Sequence, residues 1–577
     1  MPYNNKTLAK IFYEIAELLE AQGVRWKPRA YRKAAQTLET MQKDIAEIAK
    51  LGEKELVKLP GIGRNIAKKI IEFLQTGKVK KLEELRKEFP FDIAGFTSIE
   101  GIGPRTALLI YEKLGIKTVD ELIKAAREHR LARIKGIGPK TEQAIMQLEQ
   151  KAHKQRFLLP FALEIAEELC NYLRGIPEVE ECYIAGSLRR YKETIGDIDL
   201  LAVAEINNWQ TVCEKFCSYP NVDHVLGCGK TRASVVLREG IQADLRVVGK
   251  ENTGSALQYL TGSKQHSIAL RVIAKEKNLK LNEYGVFKDG NKIAGKTEQE
   301  VYSTLGLDYI EPELRENRGE IEAAKKHSLP KLVEWDSVKA DLQMHTTYSD
   351  GANTIEEMAI AAIKLGRELI AITDHSSGLA VAHGMNENKI RKQWKEIDSL
   401  NKKFQREGIN FRILKGIEAN IDKDGKLDVP NSLLKDFDLV IAAIHYGFKG
   451  SKVIQTARYL EAISNEYVNI IAHPSGRKLL EKEPMQIDWP KIFEACKANN
   501  VMLEINAFPN RLDLDSFLVK EAIESGVILS IGTDSHSVEH LQFLRYGVAV
   551  ARRGWCESKH IINSWPTKEI MKALDKG

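Results

Sequence analysis

The chain has 577 residues, 43% of them hydrophobic, with 86 basic against 80 acidic side chains and a formal net charge of +6. That length is too great for one domain and calls for roughly three to five. No run of about 18 apolar residues is present to span a membrane, and the opening Met1-Pro2-Tyr3-Asn4-Asn5-Lys6 lacks the apolar core of a signal peptide. Seven scattered cysteines, with Cys213 and Cys217 the nearest pair, make no pairing framework and complete no zinc site, so reduced thiols in a cytoplasmic protein are expected. The mild basic excess permits a nucleic-acid partner without requiring one.

Residues 1 to about 150 read as nearly all helix, with Leu8, Ile11, Phe12, Ile15, Leu18 and Leu19 at helical spacing. Three glycine turns then recur, each ahead of a helix: Leu59-Pro60-Gly61-Ile62-Gly63, Ile99-Glu100-Gly101-Ile102-Gly103-Pro104 and Ile134-Lys135-Gly136-Ile137-Gly138-Pro139. Such turns aim backbone N–H groups at an anion, and the helix N-terminus behind adds partial positive charge. Contacts of this kind hold a DNA backbone without reading its bases. One turn alone would be weak evidence; the repeat favours DNA binding over a purely structural role.

From about 152 to 250 helices and strands mix, with strands expected at Cys182–Ala185, Ile198–Val203 and Ala233–Leu237. Gly186-Ser187-Leu188-Arg189-Arg190 precedes Gly196-Asp197-Ile198-Asp199, and Asp244 sits on a later apolar strand. Asp197 and Asp199, two apart on one strand, face the same side. With Asp244 they would hold two Mg²⁺ ions, the arrangement that activates a 3′-hydroxyl and grips a triphosphate. Gly186 lets backbone approach phosphate, Ser187 offers a hydroxyl, and Arg189 or Arg190 supplies fixed charge.

Residues 1 to about 315 resemble the family X DNA polymerases. The resemblance runs through Ala30-Tyr31-Arg32-Lys33-Ala34-Ala35, the first glycine turn, Gly-Ser-x-Arg-Arg, Gly-Asp-x-Asp, Tyr259-Leu260-Thr261-Gly262-Ser263 and Asn282-Glu283-Tyr284-Gly285. It implies that Asp197, Asp199 and Asp244 bind the metals and are catalytic, and that Gly186, Ser187 and Arg190 hold the triphosphate. Tyr259 and Gly262 would line the sugar pocket, and Arg271 would reach the template side. Leu260 stands where vertebrate members carry Phe, and Ser267 where an Asn usually meets the incoming base pair, so sugar discrimination and base-pair checking are expected to differ. The N-terminal helices resemble the family's 5′-deoxyribose-phosphate lyase domain, which uses a lysine amine to form a Schiff base. Lys69 matches the nucleophile, Lys27, Tyr31 and Lys81 its supports, and Asn65 replaces a further supporting lysine.

A charged stretch from Glu311 to Lys331 joins this half to a segment where short apolar strands alternate with helices, a β/α-barrel pattern. His345, Asp350, His375, Glu418, His445, His473, Asp534 and His536 each sit in a short loop after an apolar run, a set of imidazoles and carboxylates that suits Zn²⁺, Mn²⁺ or iron. Asp374 reads either as a support for its neighbour His375 or as a helix cap. His383 reads either as an extra candidate or as a surface residue, and Arg477 and Arg511 read as phosphate or DNA contacts.

Residues 338 to 577 resemble the PHP (polymerase and histidinol phosphatase) domain through Thr373-Asp374-His375, Gly416-Ile417-Glu418, Ile444-His445, Ala472-His473-Pro474 and Gly532-Thr533-Asp534-Ser535-His536. The resemblance implies three ions: Gln343, His345, Glu418 and Asp534 on the first, Glu418 bridging to a second with His445 and His473, and Asp350, His375 and His536 on a third. Gln343 departs from the family's usual His, so the first position is expected to bind more weakly or to favour Mn²⁺ over Zn²⁺.

The expected architecture is therefore multidomain, α and α/β. A helical lyase-like helix-hairpin-helix region covers 1–80 and a fingers-like one 81–151. A nucleotidyltransferase palm of mixed sheet and helices covers 152–253, a small thumb 254–315, a linker 316–337, and a distorted β/α-barrel PHP domain 338–577. The expected function is a monomeric gap-filling repair polymerase acting on gapped or nicked DNA and dNTPs. Two Mg²⁺ ions serve the palm, and up to three Mn²⁺ or Zn²⁺ ions serve a 3′→5′ exonuclease or 3′-end phosphoesterase, with abasic-site incision a further expectation. The rivals are a non-templated nucleotidyltransferase, a histidinol-phosphatase-like phosphomonoesterase, and a polymerase whose barrel is structural and catalytically inactive.

Overall fold

The computed structural model describes residues 3–576 except 25, 42, 43, 98, 100, 101, 129, 132, 133, 135–155, 380 and 381. The chain divides into two compact units, Met1–Gln155 and Arg156–Gly577. No helix of the described residues is long and apolar enough to cross a membrane.

The first unit is helical, as expected. Leu8, Phe12, Ile15 and Leu19 on Tyr3–Ala21 share one core with Leu38 on Lys27–Thr40, Ile70 on Arg64–Thr76 and Ile110 on Pro104–Leu114. The first glycine turn falls among the described residues, as do Ile99, Ile102 and Gly103 of the second. Each turn is anchored by a buried isoleucine whose N–H donates to the carbonyl three residues back: Ile62 to Leu59 at 3.1 Å and Ile102 to Ile99 at 3.0 Å. Gly61 has φ +76°, and a Cβ there would meet Lys33 Cγ at 2.6 Å, so only glycine fits. Gly63 and Gly103 are exposed, extended residues at the starts of Arg64–Thr76 and Pro104–Leu114. Gly101 and the third turn, with Gly136 and Gly138, lie outside the described residues.

In the second unit the short strands β1 (Phe157–Leu158) and β3 (Thr194–Ile195) pair beside a five-stranded sheet. That sheet contains β2 (Glu181–Ile184), β4 (Asp197–Val203), β5 (Val222–Cys228), β6 (Arg232–Leu237) and β7 (Gln242–Val248), in the order β2-β4-β7-β6-β5. Only β4 and β7 run parallel. Strand alternation sorts their side chains. Ile198, Leu200 and Ala202, with Ala243, Leu245 and Val247, join the core beneath Leu159–Arg174 and Trp209–Cys217. The opposite face carries Leu201 and Val248, packed with Ala256 and Leu257 of the helix Thr253–Thr261, and so also carries Asp197, Asp199 and Asp244.

A smaller layer follows, of β8 (Lys280–Asn282), β9 (Gly285–Lys288) and β10 (Asn291–Ala294) with the helices Lys264–Glu276 and Glu298–Thr304. Beyond it, residues 316–337 are packed rather than extended through solvent: Glu320 and Ala324 are fully buried.

The remainder is a parallel sheet of β11 (Ala340–Asp341), β12 (Leu369–Ile372), β13 (Arg412–Asn420), β14 (Leu439–Ala443), β15 (Ile470–Ile471), β16 (Met502–Asn506) and β17 (Leu529–Gly532), seven strands in sequential order. Its strands are buried apolar runs, as a sheet covered by helices requires. The two edges meet at their C-terminal ends: Met344 bridges Ser535, Asp534 N donates to the Gln343 carbonyl at 3.0 Å, and Thr533 Oγ1 donates to Asp341 Oδ2 at 2.6 Å. The result is the distorted barrel read from the sequence.

Candidate active sites

Register, not proximity in sequence, builds the first site. The β4–β7 pairing sets Asp199 directly opposite Asp244 and Asp197 opposite Gln242, whose Nε2 donates to Asp244 Oδ1 and Oδ2 at 3.1 and 2.9 Å. Gly186, at φ +61°, abuts this pair, since a Cβ on it would lie 1.9 Å from Asp199 Oδ2. A cleft of about 620 Å³ opens there, lined by Gly186, Ser187, Arg190, Asp197, Asp199, Tyr259, Gly262, Ser267 and Arg271. Every residue expected to hold nucleotide thus lines one cavity, joined by Leu260, Ser263, Lys264 and Ile268, while Asp244 stands at its edge on the next strand. The Arg271 guanidinium lies 5.4 Å from the Tyr259 ring centre, a cation–π pair that fixes both on the cleft wall.

The paired arginines of Gly-Ser-x-Arg-Arg separate. Arg189 is committed elsewhere, donating to Thr261 Oγ1 at 2.8 Å and to both carboxylate oxygens of Glu298 at 3.0 and 2.7 Å. Arg190 lines the cleft, with its Nε held by Glu316 at 3.0 Å and its Nη1 by the Thr261 carbonyl.

The second site lies at the C-terminal mouth of the barrel and is centred on Glu418. This residue sits inside β13 rather than in a loop after it, which corrects the sequence expectation; the strand runs on to Asn420. Glu418 Oε1 is 3.1 Å from His445 Nε2 and 3.0 Å from His473 Nε2. Its Oε2 is 3.3 Å from His345 Nε2, 3.5 Å from His375 Nδ1 and 3.1 Å from Gln343 Nε2. Burial alone would raise this carboxyl, but the His375, His345, His445 and His473 imidazoles outweigh it and hold Glu418 well below the ordinary carboxylate range. Among the described residues three overlapping groups could each hold a metal ion: His345, Glu418 and Asp534; His375, Glu418 and His445; and His345, Asp350, His375 and His536.

Residues behind the ligands orient them. Asn420 Oδ1 accepts a hydrogen bond from His445 Nδ1 at 3.1 Å and leaves Nε2 facing Glu418. His536 Nδ1 donates to the Asp534 carbonyl at 2.7 Å and turns Nε2 toward Asp350, 3.5 Å away. Asn506 Nδ2 donates to Asp534 Oδ2 at 3.1 Å, and Arg511 Nε lies 3.4 Å from the same oxygen. Asp374 caps no helix; it accepts from Thr346 N (2.8 Å), Thr346 Oγ1 and Gln393 Nε2 (each 2.6 Å) and so fixes the loop that carries Asp350.

His383 is exposed and belongs to none of the three groups, in keeping with its surface reading. One expectation fails. Arg477 is buried, donating to Glu193 Oε1 and Oε2 at 2.9 and 3.3 Å and to the Arg511 and Leu512 carbonyls, so it ties the barrel to the palm instead of facing DNA. In the first unit Lys69 is half-buried and its Nζ lies 3.4 Å from the Asn65 carbonyl, while Tyr31 is buried against Phe12.

The donor set fits cations. His345 Nδ1 and Nε2, His375 Nδ1 and Gln343 Oε1 are buried without hydrogen-bond partners, although carboxylates stand 3.2 to 4.0 Å from the His345 nitrogens. Several imidazole nitrogens and carboxylate oxygens converging on one buried point make a donor set that would suit ions held between them. Glu504 on β16 also faces this region unpartnered at Oε1; burial and then the nearby Asp534 charge push its carboxyl well above the usual range. The sequence reading passed over it because it stands in an apolar strand.

A mixed-sheet palm with three aspartates on one face and a barrel whose mouth gathers imidazoles and carboxylates that could hold metal ions define a protein with two acidic, metal-suited sites. Family models match as a DNA polymerase beta thumb over 256–316, a helix-hairpin-helix domain over 3–79, a SAM-like helix-hairpin-helix tandem over 94–148 and a PHP domain over 341–507. The DNA polymerase/3′-5′ exonuclease PolX of Bacillus subtilis (strain 168) is 36% identical over 99% of this chain and 100% of its own. DNA polymerase lambda of Rattus norvegicus is 26% identical over 52% of this chain and 54% of its own, and a protein of Thermoanaerobacter sp. (strain X514) named as a phosphatase is 35% identical over 34% of this chain and 78% of its own. The chain belongs to the family X DNA polymerases that carry a C-terminal PHP domain.

Proposed function

We propose that this protein is a template-directed repair polymerase that fills short gaps and processes 3′ ends with its own barrel. The observation that carries the reading is the β4–β7 register, which sets Asp199 against Asp244 at the edge of a nucleotide-sized cleft. Two Mg²⁺ ions between these carboxylates would supply charge neutralisation and a lowered pKa for the primer hydroxyl. Gly186 keeps the approach to Asp199 open, Ser187 and Arg190 supply a hydroxyl and fixed charge for the phosphates, and Tyr259 and Gly262 shape the sugar side. The glycine turns grip the duplex backbone, with gapped or nicked DNA as the substrate and the monomer as the working form. We place the working boundaries near 80, 151, 253, 315 and 337.

In the barrel, Mn²⁺ or Zn²⁺ held by Gln343, His345, Asp350, His375, Glu418, His445, His473, Asp534 and His536 would supply a nucleophile at neutral pH and an electrostatic clamp on phosphate. Arg511, beside Asp534 and partly exposed, neutralises the scissile phosphate, and Asn420 keeps His445 in its binding tautomer. The fully buried imidazole of His345, with the Glu418 and Asp534 carboxylates converging on it, favours an active centre over a vestigial one.

Gap filling and 3′→5′ degradation, measured on the same preparations, test the reading. Asp199→Ala and Asp244→Ala should abolish synthesis and spare degradation; His345→Ala and His473→Ala should do the reverse. Loss of both activities in all four folded variants would contradict two independent centres.

A further inference from the structure

We infer that Arg553, a barrel residue, is a positioning residue for nucleotide binding in the palm, acting through Glu316 on Arg190. Arg553 ends the helix Leu544–Arg553, whose Leu544, Val548 and Val550 pack in the same core as Ile505 and Ile531 of β16 and β17. Its side chain is only 3% exposed. Its Nη1 donates to the backbone carbonyl of Arg190 and lies 3.3 Å from Glu316 Oε1. The same oxygen accepts from Arg190 Nε at 3.0 Å, with Lys192 Nζ 3.8 Å away. Arg190 then reaches the Thr261 carbonyl through Nη1, beside Gly262, whose Cβ position lies 3.4 Å from that nitrogen.

One carboxylate thus sits between a guanidinium of the barrel and a guanidinium of the cleft. Glu316 fixes the plane of Arg190, and Arg553 fixes both Glu316 and the backbone of the Gly186–Arg190 turn. A planar, forked donor can do this where a lysine, a single flexible point charge, cannot. The barrel therefore contributes to the polymerase reaction without touching nucleotide, and its contribution falls on binding rather than on the chemical step. The inference rests on the polymerase reading above.

The test uses the full chain carrying Arg553→Lys, Glu316→Gln, or both, with steady-state dNTP incorporation on gapped DNA and 3′→5′ degradation of a single-stranded oligonucleotide. Each single variant should raise the dNTP KM about fivefold to tenfold while kcat stays within about twofold. The double variant should be no worse than either single one, because both break the same chain of contacts. Degradation, which uses neither residue, should be unchanged and so reports the fold. Unchanged KM in both single variants would overturn the inference. So would a parallel fall in incorporation and degradation, which would make the contacts mere support for the barrel. If the unsubstituted chain incorporates no dNTP, the polymerase reading itself has failed, and that result is distinct from the other two.

Discussion

Glu504 and Gln343 crowd a single point: a Cβ placed on Gly532 would lie 2.2 Å from Glu504 Oε1 and 2.7 Å from Gln343 Cβ. Gly532 is therefore the residue that lets a buried carboxyl and the unusual amide share the floor of the barrel site. Gly532→Ala should displace one or both, lowering metal content and degradation while leaving gap filling intact; elemental analysis beside the two assays checks it. Gln343→His, restoring an imidazole where an amide stands, should raise the Zn²⁺ retained after dialysis, with an affinity gain of about tenfold. Equal metal content in Gln343→His and the unsubstituted protein would show that the first position does not depend on this side chain.

Gly186→Ala places a methyl group 1.9 Å from Asp199 Oδ2, on backbone at φ +61°. Displacing that carboxylate by even part of an ångström should cost about 100-fold in incorporation rate. Degradation by the barrel should not change, which separates the effect from misfolding.

Glu298 joins Arg189 and Arg315 while nearly buried. Burial alone would raise its carboxyl, but the Arg315 charge and then the Arg189 fork outweigh it and hold it at about 2 against an ordinary 4.5. The folded form thus binds the proton more weakly than the unfolded chain. The stabilisation is fully present above pH 4.5 and is lost as pH falls toward about 2. A depression of this size corresponds to about 3 kcal/mol. Glu298→Gln should lower the melting temperature at pH 7, because two arginines lose their partner, and should flatten the acid limb of a Tm-against-pH curve.

Arg477→Ala should lower thermal stability by about 3 kcal/mol, since it leaves Glu193 facing an empty space at the palm–barrel contact. DNA affinity, read by fluorescence anisotropy at fixed salt, should stay the same. A loss of affinity without a change in Tm would restore the DNA-contact reading of this residue.

For Lys69, borohydride reduction on an incised abasic duplex should trap a covalent adduct that Lys69→Ala removes. An adduct of equal yield in that variant would place the amine elsewhere.

Patterns with a short period carried most of what the sequence disclosed. Alternation put Asp197 and Asp199 on one face, and the β4–β7 pairing delivered Asp244 to it. Ligands after apolar runs marked the barrel mouth because parallel strands all end there. Pairings across long separations left no such trace. Arg477 and Glu193 are 284 residues apart, and Arg189 and Glu298 are 109 apart, so basic residues beside a site read as phosphate contacts when they were already engaged. Asn420 and Gln242 were equally hidden, since a neutral amide two residues from a ligand looks the same whether or not it orients anything. Glu504 was masked by the apolar strand around it.

The seam of the barrel has a consequence for biogenesis. Gln343 and His345 follow the first strand, Asp534 and His536 the last, and they converge only where Met344 meets Ser535. A ribosome-bound chain that has not yet extruded β17 already carries His375, Glu418 and His445 but lacks Asp534 and His536, so two of the three groups stay incomplete. The full set of side chains at the barrel mouth is therefore present only after the whole palm sequence has been made.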